Sequence, residues 1–421
     1  NESGRVVFDG GAAILDARGD LVGQGERFSF KEFGMLAAVV ELKARGVDGP
    51  SVIEAGFVVP DTAAPSAAPL PDFQVFEKDA NEEFARVLGL GLFDYLRKSH
   101  ANGFALSLSG GADSAACAVL VRIMAELGAA QLGWKTFIQA LPDIPALDRT
   151  ASVDQAMPLL LRTLYQASAH STGLTREAAA SVARALGSRH DVVEIQPLVD
   201  AYRCLAEGVL GRGLTWAQDD LTLQNLQARV RSPAIWTLAN AEGRLLLATN
   251  NRSEAAVGYT TMDGDTSGGL APVAGVGKHF LRRWLRWVEN GGLAELGALS
   301  ALKAVNVQAP TAELRPPQAG QTDEGDLMPY VILDTLERLL VLERQSPRQA
   351  YQSLRAEFPD LDEFQLKAWT RRLYTLWSRS QWKRERLALS MHVDDHNVDP
   401  RSWCRWPVLN GNFVKELEEL N

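Results

Sequence analysis

The stretch FALSLSGGADSAACAVLV, Phe104 to Val121, decides the fold. A short apolar run ends in Ser-Gly-Gly, and Asp, Ser and a series of small residues follow. That order reads as a strand over Phe104–Leu108, a glycine turn, and a helix over Ala112–Leu127 closed by Gly128. Glycines let backbone N–H groups approach an anion closely, Ser109 and Ser114 add hydroxyl donors, and the helix behind Gly111 directs its N-terminus at the same place. Asp113 is the odd member, since a carboxylate repels phosphate. It fits if a Mg²⁺ stands between the two. The loop is neither G-x-x-x-x-G-K-[ST], because the Lys is absent and the spacing differs, nor G-x-G-x-x-G. Two glycines after a strand are often only a turn, and the Asp-Ser pair weighs against that reading.

Outward from this loop the chain alternates strand and helix. NEEFARVLGLGLFDYLRKSH places Phe84, Val87, Leu88 and Leu92 on one helical face, and Asn102-Gly103 turns the chain into the strand. Downstream, WKTFIQALP (134–142) predicts a strand, TREAAASVARALGSRH (175–190) a helix and DVVEIQP (191–197) a strand. A long helix ending at Gly243 and the strand RLLLATNN (244–251) come next. The β-α-β rhythm argues a doubly wound parallel sheet with helices on both faces, whose ligands bind beyond the carboxyl ends of the strands. Both SLSGGADS and LATNNRSE sit at such ends. At the front, GRVVFDGGAAILDARGDLVGQGERF (4–28) reads as strands with turns at Asp9-Gly10 and Arg18-Gly19-Asp20. These strands either pack on the downstream part of the chain or end a preceding domain. PDTAAPSAAPLPD, Pro60 to Asp72, reads as a linker.

With 421 residues, 46% of them hydrophobic and 23% charged, the composition is globular. A formal charge of -9 gives no net field for nucleic acid or anionic lipid. Cys117, Cys204 and Cys404 are odd in number and far apart, which favours a reducing cytoplasm over a disulfide framework. No uninterrupted apolar run spans a bilayer.

SGGADS resembles the S-G-G-x-D-S pyrophosphate loop of the ATP pyrophosphatases, a superfamily that includes GMP, asparagine and NAD synthetases. The segments LATNNRSEAAVGYTTMDGDTSGGLAPVAGVGK (247–278), APTAELRPP (309–317), QTDEGDLMPY (321–330) and QWKRERL (381–387) narrow the choice. In that order they are similar to the signatures of NAD synthetase, in its glutamine-dependent bacterial form. The resemblance implies an α/β doubly wound sheet of the adenine nucleotide alpha hydrolase type. It divides the chain into a remnant of a nitrilase-like glutaminase domain (1–59), a linker (60–75) and a synthetase domain (76–421). The glutaminase Glu, Lys and Cys of that family would precede Asn1, so glutaminase chemistry is expected to be absent here.

The activity implied is adenylation of deamido-NAD by ATP, then amidation by ammonia, giving NAD, AMP and pyrophosphate. Ser109, Gly110, Gly111 and Ser114 then hold pyrophosphate, with Thr249, Lys278 and Thr311 as further ATP contacts. Asp113 and Glu254 carry Mg²⁺, and Asp113 and Lys278 are the catalytic pair. Arg229, Glu254, Trp382 and Lys383 meet deamido-NAD, and Arg384 completes a basic pair with Lys383. Blander readings stand beside these: Thr249 as a helix cap, Glu254 as a first-turn carboxylate, Arg231 as a surface ion pair. Two substrate contacts of the ammonia-dependent relatives do not carry over, because Met262 and Gly269 occupy their positions; Asp263 and Asp265 are candidate substitutes. MHVDDHNVDP (391–400) reads as a structural or solvated loop rather than a metal cluster. A homodimer or larger homo-oligomer in the cytoplasm is expected, with small-molecule substrates and no nucleic-acid or membrane partner. The alternatives are an inactive nucleotide-binding fragment, or another adenylating amidotransferase such as GMP synthetase.

Overall fold

The computed structural model describes residues 4–40, 79–311, 313–316 and 322–420. The segment read as a linker, with both domain boundaries beside it, lies outside them. A two-stranded antiparallel ribbon, β1 (Ala13–Leu15) and β2 (Leu21–Gln24), precedes the main sheet. That sheet contains β3 (Phe104–Ser107), β4 (Leu161–Ala167), β5 (Arg189–Glu194), β6 (Leu245–Leu247), β7 (Leu270–Ala271) and β8 (Leu389–Ser390). All six strands run parallel in the order β5-β4-β3-β6-β7-β8. The order reverses at β3, whose Phe104 pairs with Leu161 of β4 on one side and Leu245 of β6 on the other. The crevice between the loops after β3 and β6 is therefore the switch point where such sheets take ligands.

Local chemistry explains how the chain arrives there. Helix Ala80–Ser99 starts at Asp79, whose carboxylate accepts from the N–H groups of Asn81 and Glu82. It carries Glu82 and Glu83 in its first turn and Arg97 and Lys98 in its last, as the helix dipole favours. It packs along helix Ala112–Leu132, which is apolar on nearly all sides because it is buried on nearly all sides. By length and composition that second helix could cross a bilayer, but most of it is buried in the core. Trp284 closes the end of the core edge-on to Phe84 at 5.1 Å, its indole N–H on the Asn81 carbonyl.

Three expectations change. The second helix runs through Gly128 to Leu132 and ends at Gly133. Gly128 is a packing residue rather than a stop: a Cβ there would lie 2.6 Å from the Phe137 ring. WKTFIQALP forms no strand; Trp134–Gln139 is a helix, and Phe137 stacks on Phe93 at 5.9 Å. The strand beside β3 is instead β4, LRTLYQA, buried along its whole length although it carries Arg162, Thr163 and Gln166.

The N-terminal segment packs on the edge of the main sheet and its flanking helix. Tyr95 donates its hydroxyl to the Gly4 carbonyl at 2.6 Å, and the His392 N–H donates to the Arg5 carbonyl at 2.7 Å. Val6 forms a parallel bridge with His392, continuing the sheet past β8. Phe30 enters the core against Phe93 at 5.1 Å. A second apolar cluster joins helices Tyr330–Val341, Pro347–Glu357 and Glu363–Arg379 to Ala255–Val257.

Candidate active site

The loop after β3 is built from behind by its own hydroxyls. Gly110 has φ +84°, and a Cβ there would lie 2.2 Å from the Thr175 carbonyl oxygen, so glycine is required on both counts. Ser114 is buried; its hydroxyl donates to the Gly111 carbonyl at 3.1 Å, accepts from the Ser109 N–H at 3.2 Å and meets Ser109 Oγ at 3.0 Å. No side chain caps the following helix at Gly111, so its first-turn N–H groups remain open to the cleft. Ser109, Gly111, Ala112 and Asp113 line the cleft, while Gly110 and Ser114 shape the loop from beneath.

Across the cleft, helix Arg252–Val257 follows β6. Its cap is Asn251, not Thr249: the Asn251 side chain accepts from the Glu254 N–H at 2.9 Å. The same side chain donates through Nδ2 to Asp113 at 3.0 Å, aiming that carboxylate. Thr249 is left lining the cleft. Lys278 opens helix Lys278–Glu289, and its buried ammonium pairs with Asp113 Oδ2 and, at 3.1 Å, with Glu254 Oε1. The two carboxylates read as metal ligands thus converge on one cation. Burial pushes the Glu254 carboxyl up to about 8 against the pull of Lys278. Burial opposes the charge on Lys278 as well, but Asp113, Glu254 and Asp323 together hold its pKa above the usual lysine value. Asp323 is raised chiefly by burial and accepts from the Tyr330 hydroxyl at 3.2 Å; the Tyr330 ring lies 5.8 Å from the Lys278 ammonium.

Thr311 lines the cleft, on a loop held by the Glu313 carboxylate, which accepts from Thr172 at 2.8 Å and Thr175 at 2.9 Å. Of the two arginines, Arg231 lines the cleft, and burial lowers its pKa. Arg229 is exposed on the same helix, where its Nε donates to the Met262 carbonyl at 3.0 Å. Asp265 lines the cleft and burial pushes its carboxyl up to about 6; Asp263 points away and pairs with Arg386. Trp382 is half-exposed outside the cleft. Lys383 donates to the Gly258 and Thr260 carbonyls at 2.6 and 2.7 Å, and Arg384 to those of Ala256 and Trp377 at 2.7 and 2.8 Å. The basic pair therefore clamps the end of the Glu254 helix.

Sequence reasoning missed the residues that hold this cluster from behind. Arg252 pairs with Glu337 at 3.0 Å and Asp394 at 2.7 Å, and His396 meets Glu337 at 2.8 Å. These contacts absorb MHVDDHNVDP as structure; among the described residues no three His, Cys, Asp or Glu side chains are placed to hold a metal. The signal was present: Tyr330, Asp334 and Glu337 put polar groups on one face of a mostly apolar helix, at spacings of four and three.

A parallel sheet with an open helix N-terminus and a lysine-bridged carboxylate pair at its switch point defines a nucleotide-binding α/β protein. Residues 85–386 match the family described as NAD synthase, and the chain belongs to that family. The crystal structure of a glutamine-dependent NAD(+) synthetase from Cytophaga hutchinsonii is 38% identical, with a TM-score of 0.76 over 96% of this chain and 61% of that one. A glutamine-dependent NAD(+) synthetase from Oryza sativa subsp. indica is 28% identical over all of this chain and 62% of its own length. One from Thermotoga maritima is 30% identical over 82% of this chain and 54% of its own. The chain thus spans less than two thirds of the length of these curated relatives.

Proposed function

We propose that this chain carries the synthetase chemistry of its family, making NAD from deamido-NAD, ATP and ammonia. A nicotinate carboxylate oxygen attacks the α-phosphorus of ATP, the bond to the β-phosphate oxygen breaks, and pyrophosphate leaves. Ammonia then attacks the acyl carbon of the adenylate; AMP leaves with the bonding electrons, and a proton is lost. Displacement at phosphorus asks for positioning and charge neutralisation more than for a protein nucleophile.

The observation that carries this reading is the convergence of the Ser109–Ser114 loop with Lys278, Asp113 and Glu254. The loop N–H groups and the hydroxyl of Ser109 receive the departing pyrophosphate, with Thr249 and Thr311 on the same wall. Lys278, released from the carboxylates, balances the charge that develops on the leaving phosphates. Two protein carboxylates are too few for a closed cation cage. They suit a Mg²⁺ that arrives with nucleotide and keeps phosphate and water ligands. Asp113 and Glu254 would hold that ion, which would neutralise phosphate charge. Arg231, which lines the cleft, is the better placed arginine for an anionic group of deamido-NAD, and Asp265 the better placed substitute carboxylate. The fold of residues 4–40 onto the sheet edge accords with a nitrilase-like origin, and a cytoplasmic homodimer remains the expected assembly.

The test is NAD and AMP formation from ATP, Mg²⁺, deamido-NAD and ammonium. Equimolar NAD and AMP is the expected result, abolished by EDTA. Asp113→Ala should reduce AMP formation at least ~10²-fold while the far-UV circular dichroism is unchanged. ATP binding without AMP would favour the inactive nucleotide-binding reading.

A further inference from the structure

Lys278 reaches its two carboxylates from the first position of a helix that has no capping side chain of its own. The cap position is Gly277. A Cβ on Gly277 would lie 2.3 Å from Asp334 Oδ2, so the space a capping side chain would take is filled by Asp334, reaching in from helix Tyr330–Val341. Asp334 Oδ2 accepts from the His279 N–H at 3.0 Å. Asp334 Oδ1 accepts from the Ser253 hydroxyl, and that same hydroxyl accepts from the Lys278 N–H at 2.8 Å. Ser253 is fully buried and immediately precedes Glu254. One carboxylate therefore ties together the backbone that launches Lys278 and the turn that launches Glu254.

We propose that Asp334 is a positioning residue, which acts through Ser253 and the first turn of helix Lys278–Glu289 to register Lys278 against Glu254. It does not line the cleft. The helices bearing Lys278 and Glu254 are separate in sequence, and Asp334 bonds to both at their first turns, where two backbone N–H groups would otherwise go unpaired. A lysine held between two carboxylates tolerates little drift in its starting point. A displacement of about 1 Å in such a group costs on the order of 10²-fold in rate. The proposal rests on the synthetase reading for its consequence in catalysis, but not for its geometry.

The experiment compares wild type, Asp334→Ala, Asp334→Asn and Ser253→Ala. The first readout is independent of the reaction: trace acetylation of the substrate-free protein, with Lys278 modification quantified by mass spectrometry against exposed lysines. Asp334→Ala should raise Lys278 labelling on the order of tenfold as the ammonium escapes its pair. Asparagine can accept from His279 N–H and donate to Ser253 Oγ, so Asp334→Asn should keep labelling close to wild type. The second readout is turnover: kcat should fall on the order of 10²-fold in Asp334→Ala, and the asparagine variant should restore most of it. Unchanged Lys278 labelling in Asp334→Ala overturns the proposal, as does equal loss of kcat in the alanine and asparagine variants at matched melting midpoints. If Asp334→Ala does not fold, Ser253→Ala decides: it removes one hydroxyl and should raise labelling several-fold. If wild type makes no NAD, the synthetase reading fails while the labelling still judges the register.

Discussion

Gly110 is where residue chemistry and function meet most tightly. Its positive φ and its approach to the Thr175 carbonyl leave no room for a methyl group. Thr175 also bonds to Glu313, on the loop that carries Thr311. A Gly110→Ala side chain would push this loop off its support and disturb that wall of the cleft. We expect Gly110→Ala to cost about 1–3 kcal/mol of stability and to weaken ATP affinity by more than tenfold. Isothermal titration with ATP beside a urea melt would check both, and wild-type affinity in the variant would refute the argument. The loop was legible in the sequence because its chemistry is local: glycines, hydroxyls and a helix start within six residues. The roles inside it were less so. Ser114 was expected to face phosphate, and it bonds instead to Ser109 and Gly111. Two hydroxyls five residues apart in a tight loop compete for the same space, and only coordinates tell which one turns inward.

At the scale of an element, helix Arg252–Val257 spends almost every side chain on a distant partner. Arg252 goes to Glu337 and Asp394, Ser253 to Asp334, and Glu254 to Lys278. A six-residue helix has little intrinsic stability and depends on such tertiary contacts. The Ala256 carbonyl in its last turn is taken by Arg384, whose fully buried guanidinium stacks 3.9 Å over Trp377 and is lowered by burial to a pKa of about 10. Arg384→Ala should therefore cost about 3 kcal/mol, because it strands the carbonyls of Ala256 and Trp377 and empties a packed site. Arg384→Lys should recover little, since a single ammonium cannot span both carbonyls and stack on the ring. Urea unfolding midpoints measure this, and a lysine variant as stable as wild type would contradict it. Lys383 and Arg384 stood out in the sequence as a basic pair for substrate, yet both meet backbone. A cation needed at a helix C-terminus and one needed by an anionic ligand look alike in a string of letters. The WKTFIQALP misreading has a similar cause. A short apolar run fits strand or helix equally until its neighbours are known, and here Phe93 and Gly128 settle it. Strand β4 escaped notice because Arg162, Thr163 and Gln166 break the apolar run that a buried parallel strand usually shows.

Over the whole molecule, the sheet is completed by a stretch from the opposite end of the chain. Val6 bridges His392 just past β8, Tyr95 holds the Gly4 carbonyl, and Arg5 pairs with Asp399 at 3.3 Å. The sequence showed strands at the front but not where they dock, because nothing local in Gly4–Phe8 names a partner so distant. The position has a consequence for the site. His392 lies two residues before Asp394, which pairs with Arg252 on the Glu254 helix. The front segment therefore braces the strand end that steadies the helix bearing Glu254. Without it, β8 presents its open side as an unpaired sheet edge, a template for association with another chain. We expect deletion of residues 1–8 to lower the melting midpoint by on the order of 5 °C, from the loss of the backbone bonds and of the packing of Val7 on the core. Self-association should rise with protein concentration in size-exclusion chromatography, and ATP affinity should weaken by a smaller factor than in Gly110→Ala. An unchanged midpoint with unchanged elution would mean that β8 ends the sheet unaided and that Asp394 holds Arg252 without support from the front of the chain.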